Sequence, residues 1–262
     1  GGVGVEFMAE TDTKAWVRYR YPRWWLDGAA LCGIPVEAGD GFMRGWHANN
    51  GASLGNPRLG FVCVSEDMTG EYGFCGYFKE FDRDLSEAER LQYAKDERPP
   101  PFDPAAQPKP PAAEWDEARL AKAYRNYAVE FVRNGVTALS ATLGRDRAVE
   151  RGVLAARLTG LQQYAHLASS VGAKDGGVKD AARFLAAMFE GMGDTVETDI
   201  QADRANIHQI GLRIVRGLEG EARDDLLSCW TAIWKGTIAS HRAFMDVDAA
   251  VDGENLVWTI ST

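Results

Sequence analysis

Seven of the thirteen residues from 99 to 111 are proline: Pro99, Pro100, Pro101, Pro104, Pro108, Pro110 and Pro111. Proline fixes φ and has no N–H to donate, so neither a helix interior nor a central strand can run through such a stretch. The segment therefore predicts an extended tether over residues 96–114 that divides the 262-residue chain into two parts, 1–95 and 115–262.

The two parts carry different periodicities. Before the prolines, Lys14-Ala15-Trp16-Val17-Arg18-Tyr19-Arg20-Tyr21 and Arg58-Leu59-Gly60-Phe61-Val62-Cys63-Val64 alternate as half-buried strands do. After them the spacing turns helical. Leu120, Tyr124, Tyr127, Phe131 and Leu139 share one stripe, and Ala148, Leu154, Leu158, Leu161 and Tyr164 share a second. Residues 179–189 make a third helix. Strands resume near Thr195, at 205–214, and at Asn255-Leu256-Val257-Trp258-Thr259-Ile260.

Charge narrows the partners. Lys and Arg total 29 against 38 Asp and Glu, a formal charge of -9, which repels a phosphate backbone and an anionic lipid surface alike, so neither nucleic acid nor membrane is an expected partner. No run of 18 apolar residues is present, and the first ten residues lack the basic and apolar regions of a signal peptide, so a cytoplasmic location is expected. The four cysteines, Cys32, Cys63, Cys75 and Cys229, include no C-x-x-C pair; free thiols are expected, with no metal and no cofactor.

The two parts also repeat one another. Val5-Glu6, Asp12, Trp16 and Tyr19 superimpose without a gap on Val196-Glu197, Asp203, Ile207 and Ile210 at a constant offset. Leu31-Cys32 matches Ser228-Cys229, and each is followed by an aromatic, glycine-bearing stretch (Gly45-Trp46 and Trp234-Lys235-Gly236). Gly70-Glu71 before Phe74-Cys75-Gly76-Tyr77-Phe78 matches Gly253-Glu254 before Val257-Trp258-Thr259-Ile260, in each case a turn feeding a closing strand. About 80 helical residues precede the first strand of the second copy, whereas the first copy opens on its strand. The fold expected is α+β: tandem helix-plus-antiparallel-sheet domains, the first copy lacking its helical half. An uncovered apolar sheet is unfavourable in water, so helices from residues 115–194, a homo-oligomer or partner chain, or an upstream segment is expected to cover it.

The order helices, strand, Cys-containing helix, hairpin resembles the L-2-amino-thiazoline-4-carboxylic acid hydrolase family, itself similar in layout to the 4-vinyl-reductase type of small-molecule-binding domain. In the first copy the residues carrying it are Arg18-Tyr19-Arg20-Tyr21-Pro22, Leu31-Cys32, Trp46, Asn56-Pro57-Arg58-Leu59-Gly60-Phe61, Gly70-Glu71 and Phe74-Cys75-Gly76-Tyr77-Phe78. In the second they are residues 184–193, Val196-Glu197, Cys229, Trp234 and Gly253-Glu254. The second copy departs at Arg216-Gly217, where the pattern has a proline, and at Trp258, which replaces the closing cysteine. The resemblance implies hydrolysis of a non-peptide C–N bond in a small substrate: an amidine, a cyclic amide or an amide.

Hydrolysis at such a carbon can proceed through a thioester-like intermediate, which makes Cys75 and Cys32 the nucleophile candidates, against the alternative that each is a small apolar core residue. Gly41-Phe42-Met43-Arg44-Gly45-Trp46-His47-Ala48-Asn49-Asn50-Gly51 sets an imidazole, two amides and a guanidinium on a glycine-flanked segment. His47 is the candidate acid or base, and Asn49, Asn50, Arg44, Trp46 and Trp25 the substrate-binding candidates; the plainer reading is an Asn-Asn-Gly turn beside a tryptophan. Glu66, with Asp67 and Glu71, borders the first hairpin, and Glu37 and Asp40 precede His47, so a carboxylate is available to orient the imidazole or activate water. His166 reads as a helix-face histidine, while His208 and His241 are candidates to line a second pocket. The alternative function is a non-catalytic small-molecule-binding or accessory subunit. The two readings differ in whether a cysteine, His47 and an acid converge on one cavity.

Overall fold

The computed structural model describes residues 4–20, 36–66, 74–109, 115–173 and 176–262. The fold is α+β. It divides into two compact units, Gly1–Ala112 and Ala113–Thr262.

In the first unit, strands β1 (Val5–Thr11) and β2 (Lys14–Tyr19) form a hairpin. Helix α1 (Val36–Met43), a π-turn at Arg44–Ala48 and the short α2 (Asn50–Ser53) follow, then β3 (Leu59–Ser65), β4 (Phe74–Glu80), a 3-10 turn at Glu87–Arg90 and β5 (Leu91–Tyr93). The sheet order is β1-β2-β4-β3-β5, antiparallel except for β5, which runs parallel to β3.

The alternation in 58–64 predicts a strand with one wet face, yet β3 is buried at five consecutive positions, Gly60 to Val64. A strand covered on both sides has this signature. One face carries Val17, Phe61, Cys63 and Phe74 beneath Met43 and Ala48 of the helical segment. The other carries Met8, Trp16, Val62, Cys75 and Tyr77, against which Phe81, Ala94 and Phe102 pack.

The proline-rich segment therefore does not hang free as a tether: residues 94–107 form a strap over the first sheet. Gln107 lies against the outer edge strand as a further strand residue would. Its Nε2 donates to the Phe7 carbonyl at 2.7 Å, and its Oε1 accepts from the Phe7 N–H at 3.0 Å. Tyr77 Oη donates to Glu97 Oε1 at 2.9 Å, and Lys14 Nζ, 3.1 Å from both Glu97 and Glu10, sits 4.0 Å from the Tyr77 ring centre and 4.8 Å from that of Trp16. Prolines suit this role because a strap crossing a face needs no ladder donors. Both faces of the first sheet are thus covered from within the first unit, so helices from residues 115–194 or from a partner chain are not needed to cover it.

In the second unit, helices α3 (Glu117–Leu143), α4 (Arg145–Val171) and α5 (Val178–Gly191) precede the hairpin β6 (Thr195–Ile200) and β7 (Arg204–Ile210). A 3-10 turn at Arg213–Val215, where a strand was expected to reach residue 214, leads into α6 (Gly220–His241) and a closing hairpin, β8 (Asp246–Asp252) and β9 (Asn255–Ser261). The order is β6-β7-β9-β8, all antiparallel. Alternate residues of β7 and β9 are buried, including Ile207, Trp258 and Ile260, and they join a core with Phe184, Phe189, Trp230 and Trp234. Helices α4 and α6 cross at backbone contact: a Cβ on Gly160 would lie 2.0 Å from the Ile233 carbonyl oxygen, and one on Gly236 2.2 Å from that of Arg157. Cys229 fills the adjoining space, its Sγ 2.8 Å from where a Gly152 Cβ would be.

The two apolar stripes read from the sequence lie largely outward. Leu120, Tyr124, Tyr127 and Phe131 of α3, and Leu154, Leu158 and Leu161 of α4, are exposed, while Val129, Val132 and Val136 turn α3 toward the core and small residues of α4 pack inward. A 3.6-residue period marks an apolar face without saying which face the fold buries.

Candidate functional site

The glycine-flanked stretch 41–51 is helical rather than looped. Its centre is the π-turn Arg44–Ala48, in which the backbone gains a residue per turn. That extra residue brings Met43, His47 and Ala48 to the sheet side while Arg44, Gly45 and Trp46 face out. Gly51 is needed for close approach: a Cβ there would lie 2.4 Å from the Leu59 carbonyl oxygen and 2.9 Å from that of Asn56.

His47 is 3% exposed and enclosed by rings. Phe61 lies 4.6 Å away between ring centres and Phe74 5.0 Å, and Tyr19 meets it edge-on at 5.5 Å, with the Tyr19 hydroxyl 3.2 Å from Nε2. Gly76 makes room for this arrangement, because any Cβ there would strike the Phe61 ring at 2.4 Å. The imidazole is thus held in the apolar core by a phenol, away from the exposed side of the helical segment.

Cys75 is 0% exposed and belongs to the opposite, strap-covered face of the sheet, beside Trp16 and Tyr77. Successive strand residues point to opposite faces, so Phe74 joins His47 and Cys75 turns away. Burial pushes the Cys75 thiol up to about 11, outweighing the downward pull of Arg18. Sequence reasoning joined Cys75 and His47 in one site; the sheet stands between them. Cys32 and Trp25 lie outside the described residues, as do Asp67 and Glu71. Cys63, Cys75 and Cys229 are buried and in no disulfide among the described residues, and among those residues no group of three or more His, Cys, Asp or Glu is arranged to hold a metal.

The carboxylates near His47 have other partners. Asp40 accepts from Tyr93 Oη at 2.6 Å and from Arg44 Nε at 2.8 Å, and these bonds, the tyrosine's foremost, hold its carboxyl below the usual range. Burial and the same hydrogen bond push the Tyr93 phenol up. Glu66 is half-buried beyond the end of β3, and Glu37 is exposed on α1.

Beside the π-turn is a cleft of about 590 Å³ lined by Arg44, Ala48, Asn49, Glu87, Ala88 and Arg90. Two predicted binding residues, Arg44 and Asn49, line it, and Asn49 Nδ2 donates to Ser53 Oγ at 3.3 Å. Trp46, stacked on Phe42 at 5.4 Å, and Asn50 do not. The opposite wall is the 3-10 turn, fixed by a reciprocal cap. The Ser86 N–H donates to Glu89 Oε2 at 2.9 Å, and with Arg83 this capping draws the Glu89 carboxyl down to about 2, the arginine contributing most. The Arg90 side chain, which ends that turn, has its Nε buried without a hydrogen-bond partner, and among the described residues the guanidinium forms no ion pair.

Sequence reasoning missed Glu87 and Arg90. The signal was legible: Ser86-Glu87-Ala88-Glu89 has the S-x-x-E spacing of a capping box, which announces a helical turn directly before Arg90. The second unit's histidines are dispersed. His166 and His208 are exposed, while His241, at the end of α6, is buried with Nδ1 against the Tyr164 hydroxyl and Nε2 3.8 Å from Asp180. No family model matches this chain, and no curated protein sequence matches it.

Proposed function

We propose that the chain is a small-molecule-binding protein that takes an organic carboxylate in the cleft between the π-turn and the Glu87–Arg90 turn, and that it binds without catalysing turnover. The observation that carries this reading is Arg90. A guanidinium with a buried, unsatisfied Nε is costly unless an acceptor comes to it, and a carboxylate is the acceptor whose geometry fits its fork. Arg44 adds positive charge at the rim, the Asn49 amide adds hydrogen-bonding capacity, and Glu87 suits an amino or amidine group on the same ligand.

The hydrolytic reading carried by the family resemblance needs a thiolate beside a base. Among the described residues Cys75 does not supply one, being buried, held protonated at neutral pH and on the face away from His47, and Cys32 lies outside them; binding is the reading the described geometry supports. The shared order β1-β2-β4-β3 and β6-β7-β9-β8, each built as hairpin, helix, hairpin, supports duplication of one ancestral unit, with β5 and the strap added to the first. The buried Cys75 and Cys229 thiols and the charge of -9 suit a reducing compartment and a partner that is neither nucleic acid nor anionic lipid.

Calorimetric titration with small carboxylates and their neutral amide counterparts tests the reading, with NMR of the same mixtures to detect turnover. The carboxylates are expected to bind and the amides not, and Arg90→Ala should weaken binding by about 10- to 100-fold, the worth of a hydrogen bond to a charged group. Equal binding to Arg90→Ala, or steady product formation, would overturn it.

A further inference from the structure

We infer that the second unit carries an anion-binding site, distinct from the cleft of the first unit, in which Arg125, Arg213 and Asn126 take the phosphate group of a small molecule. Three segments supply it: α3 gives Arg125 and Asn126, the turn after α5 gives Gly193, and the Arg213–Val215 turn gives Arg213. Gly193 is the floor. Its φ of 87° lies in the left-handed region, and a Cβ there would stand 3.3 Å from Arg213 Cδ, 3.4 Å from Arg213 Nη1 and 3.6 Å from Arg125 Nε. The two guanidiniums therefore meet over one bare stretch of backbone. Arg213 is held there from both ends, its N–H donating to Asp194 Oδ1 at 2.9 Å and its Nη2 to Asn126 Oδ1 at 2.9 Å. Arg125 Nε is buried without a hydrogen-bond partner.

Like charges set side by side repel, and an anion between them removes the cost. Carboxylates are plentiful here, 38 against 29 Lys and Arg, yet among the described residues no ion pair involves Arg125, Arg213 or Arg216. Asp194, the acid whose charge reaches Arg213 and Arg216, is buried, and its oxygens are taken by Gln209 Nε2 and the Arg213 N–H. Three arginines against that one carboxylate leave two positive charges unbalanced, the complement of a phosphate dianion and more than a single carboxylate neutralises. The donor set agrees. A carboxylate fills one guanidinium fork, whereas the three terminal oxygens of a phosphate accept from several directions. Here the donors are two guanidiniums and the Asn126 Nδ2, the Oδ1 of that amide being already engaged. Arg125 and Arg213 are half-buried and Asn126 is exposed, so a small phosphorylated molecule has access, while the charge of -9 repels a nucleic-acid backbone.

Calorimetric titration with inorganic phosphate tests the inference, on the full chain carrying Arg90→Ala so that the cleft of the first unit has lost its guanidinium. Phosphate is expected to bind saturably, one per chain, and acetate at the same ionic strength is not. Arg125→Gln or Arg213→Gln in this background should weaken phosphate binding by about 10- to 100-fold, the worth of a hydrogen bond to a charged group, with circular dichroism melts to separate loss of the site from loss of the fold. The Nε–H NMR signal of Arg125 should also shift as phosphate is added, which reads the site without altering it. Phosphate that does not saturate, acetate that binds as tightly, unchanged binding in folded Arg125→Gln, or an Arg125 signal that stays in place would each overturn the inference.

Discussion

Gly236→Ala adds one methyl group at the crossing of α4 and α6, and the structure fixes where it goes. The new carbon would lie 2.2 Å from the Arg157 carbonyl oxygen, 3.1 Å from its carbon and 3.2 Å from the Leu161 N–H nitrogen. A carbon and a carbonyl oxygen rest at about 3.3 Å or more, so the helices must separate by about 1 Å. The obstacle is backbone on both sides, which no rotamer change relieves. Helix propensity favours alanine by about 1 kcal/mol, whereas overpacking a close crossing costs about 1–3 kcal/mol or more. Because the displaced helix also pulls Trp230 and Trp234 off Phe189, the upper end applies, and a net loss of about 2 kcal/mol is expected. Urea unfolding followed by circular dichroism should show the midpoint falling by about 1 M. Gly160→Ala, 2.0 Å from the Ile233 carbonyl oxygen, should behave alike, and the double variant should lose less than the sum because one separation relieves both clashes. Gly135→Ala, facing open space on α3, should instead gain up to about 1 kcal/mol. Wild-type or greater stability in Gly236→Ala, or strict additivity in the double variant, would refute the reasoning.

Gln107→Ala should destabilise the first unit by about 1–2 kcal/mol through loss of two bonds to Phe7, and limited proteolysis should then cut within residues 94–107 sooner. Iodoacetamide should label Cys63, Cys75 and Cys229 slowly in native protein and rapidly after unfolding; with its thiol near 11, Cys75 is about 10⁻⁴ thiolate at pH 7, and fast native labelling of it would contradict the assignment to the core. Asp194 accepts from Gln209 Nε2 at 2.7 Å and from the Arg213 N–H at 2.9 Å, yet burial raises its pKa above 3.8. The folded state therefore holds this proton more tightly than the unfolded state, so the wild type should lose stability relative to Asp194→Asn as pH climbs from about 3.8 through the raised value. Matched melts across that window that stay parallel would exclude Asp194 as the cause.

Much of the architecture is written in local patterns. Seven prolines within residues 99–111 exclude a helix interior or a central strand there, the 3.6-residue spacing of residues 117–191 marks helices, and the Gly253-Glu254 turn before an apolar run makes a hairpin. These are short-range constraints, set by φ, by side-chain period and by turn chemistry, and a chain obeys them before it has a core. Which side of each element faces inward is a different kind of question. The ridge from Leu120 to Phe131 is apolar by period and lies outside, because Val129, Val132 and Val136 on the other side are the ones that join the core, where α3 packs on α4, the Arg213–Val215 turn and α6. Cys75 and His47 are both near the sheet in sequence terms, but strand parity and a π-turn send them to opposite faces. The cleft draws Arg44 and Asn49 from one turn and Glu87 and Arg90 from another about 40 residues later, and only the pairing of β3 with β5, against which both turns pack, brings them together. Contacts between distant segments depend on which apolar surfaces cover one another, a global competition that no local window of sequence contains.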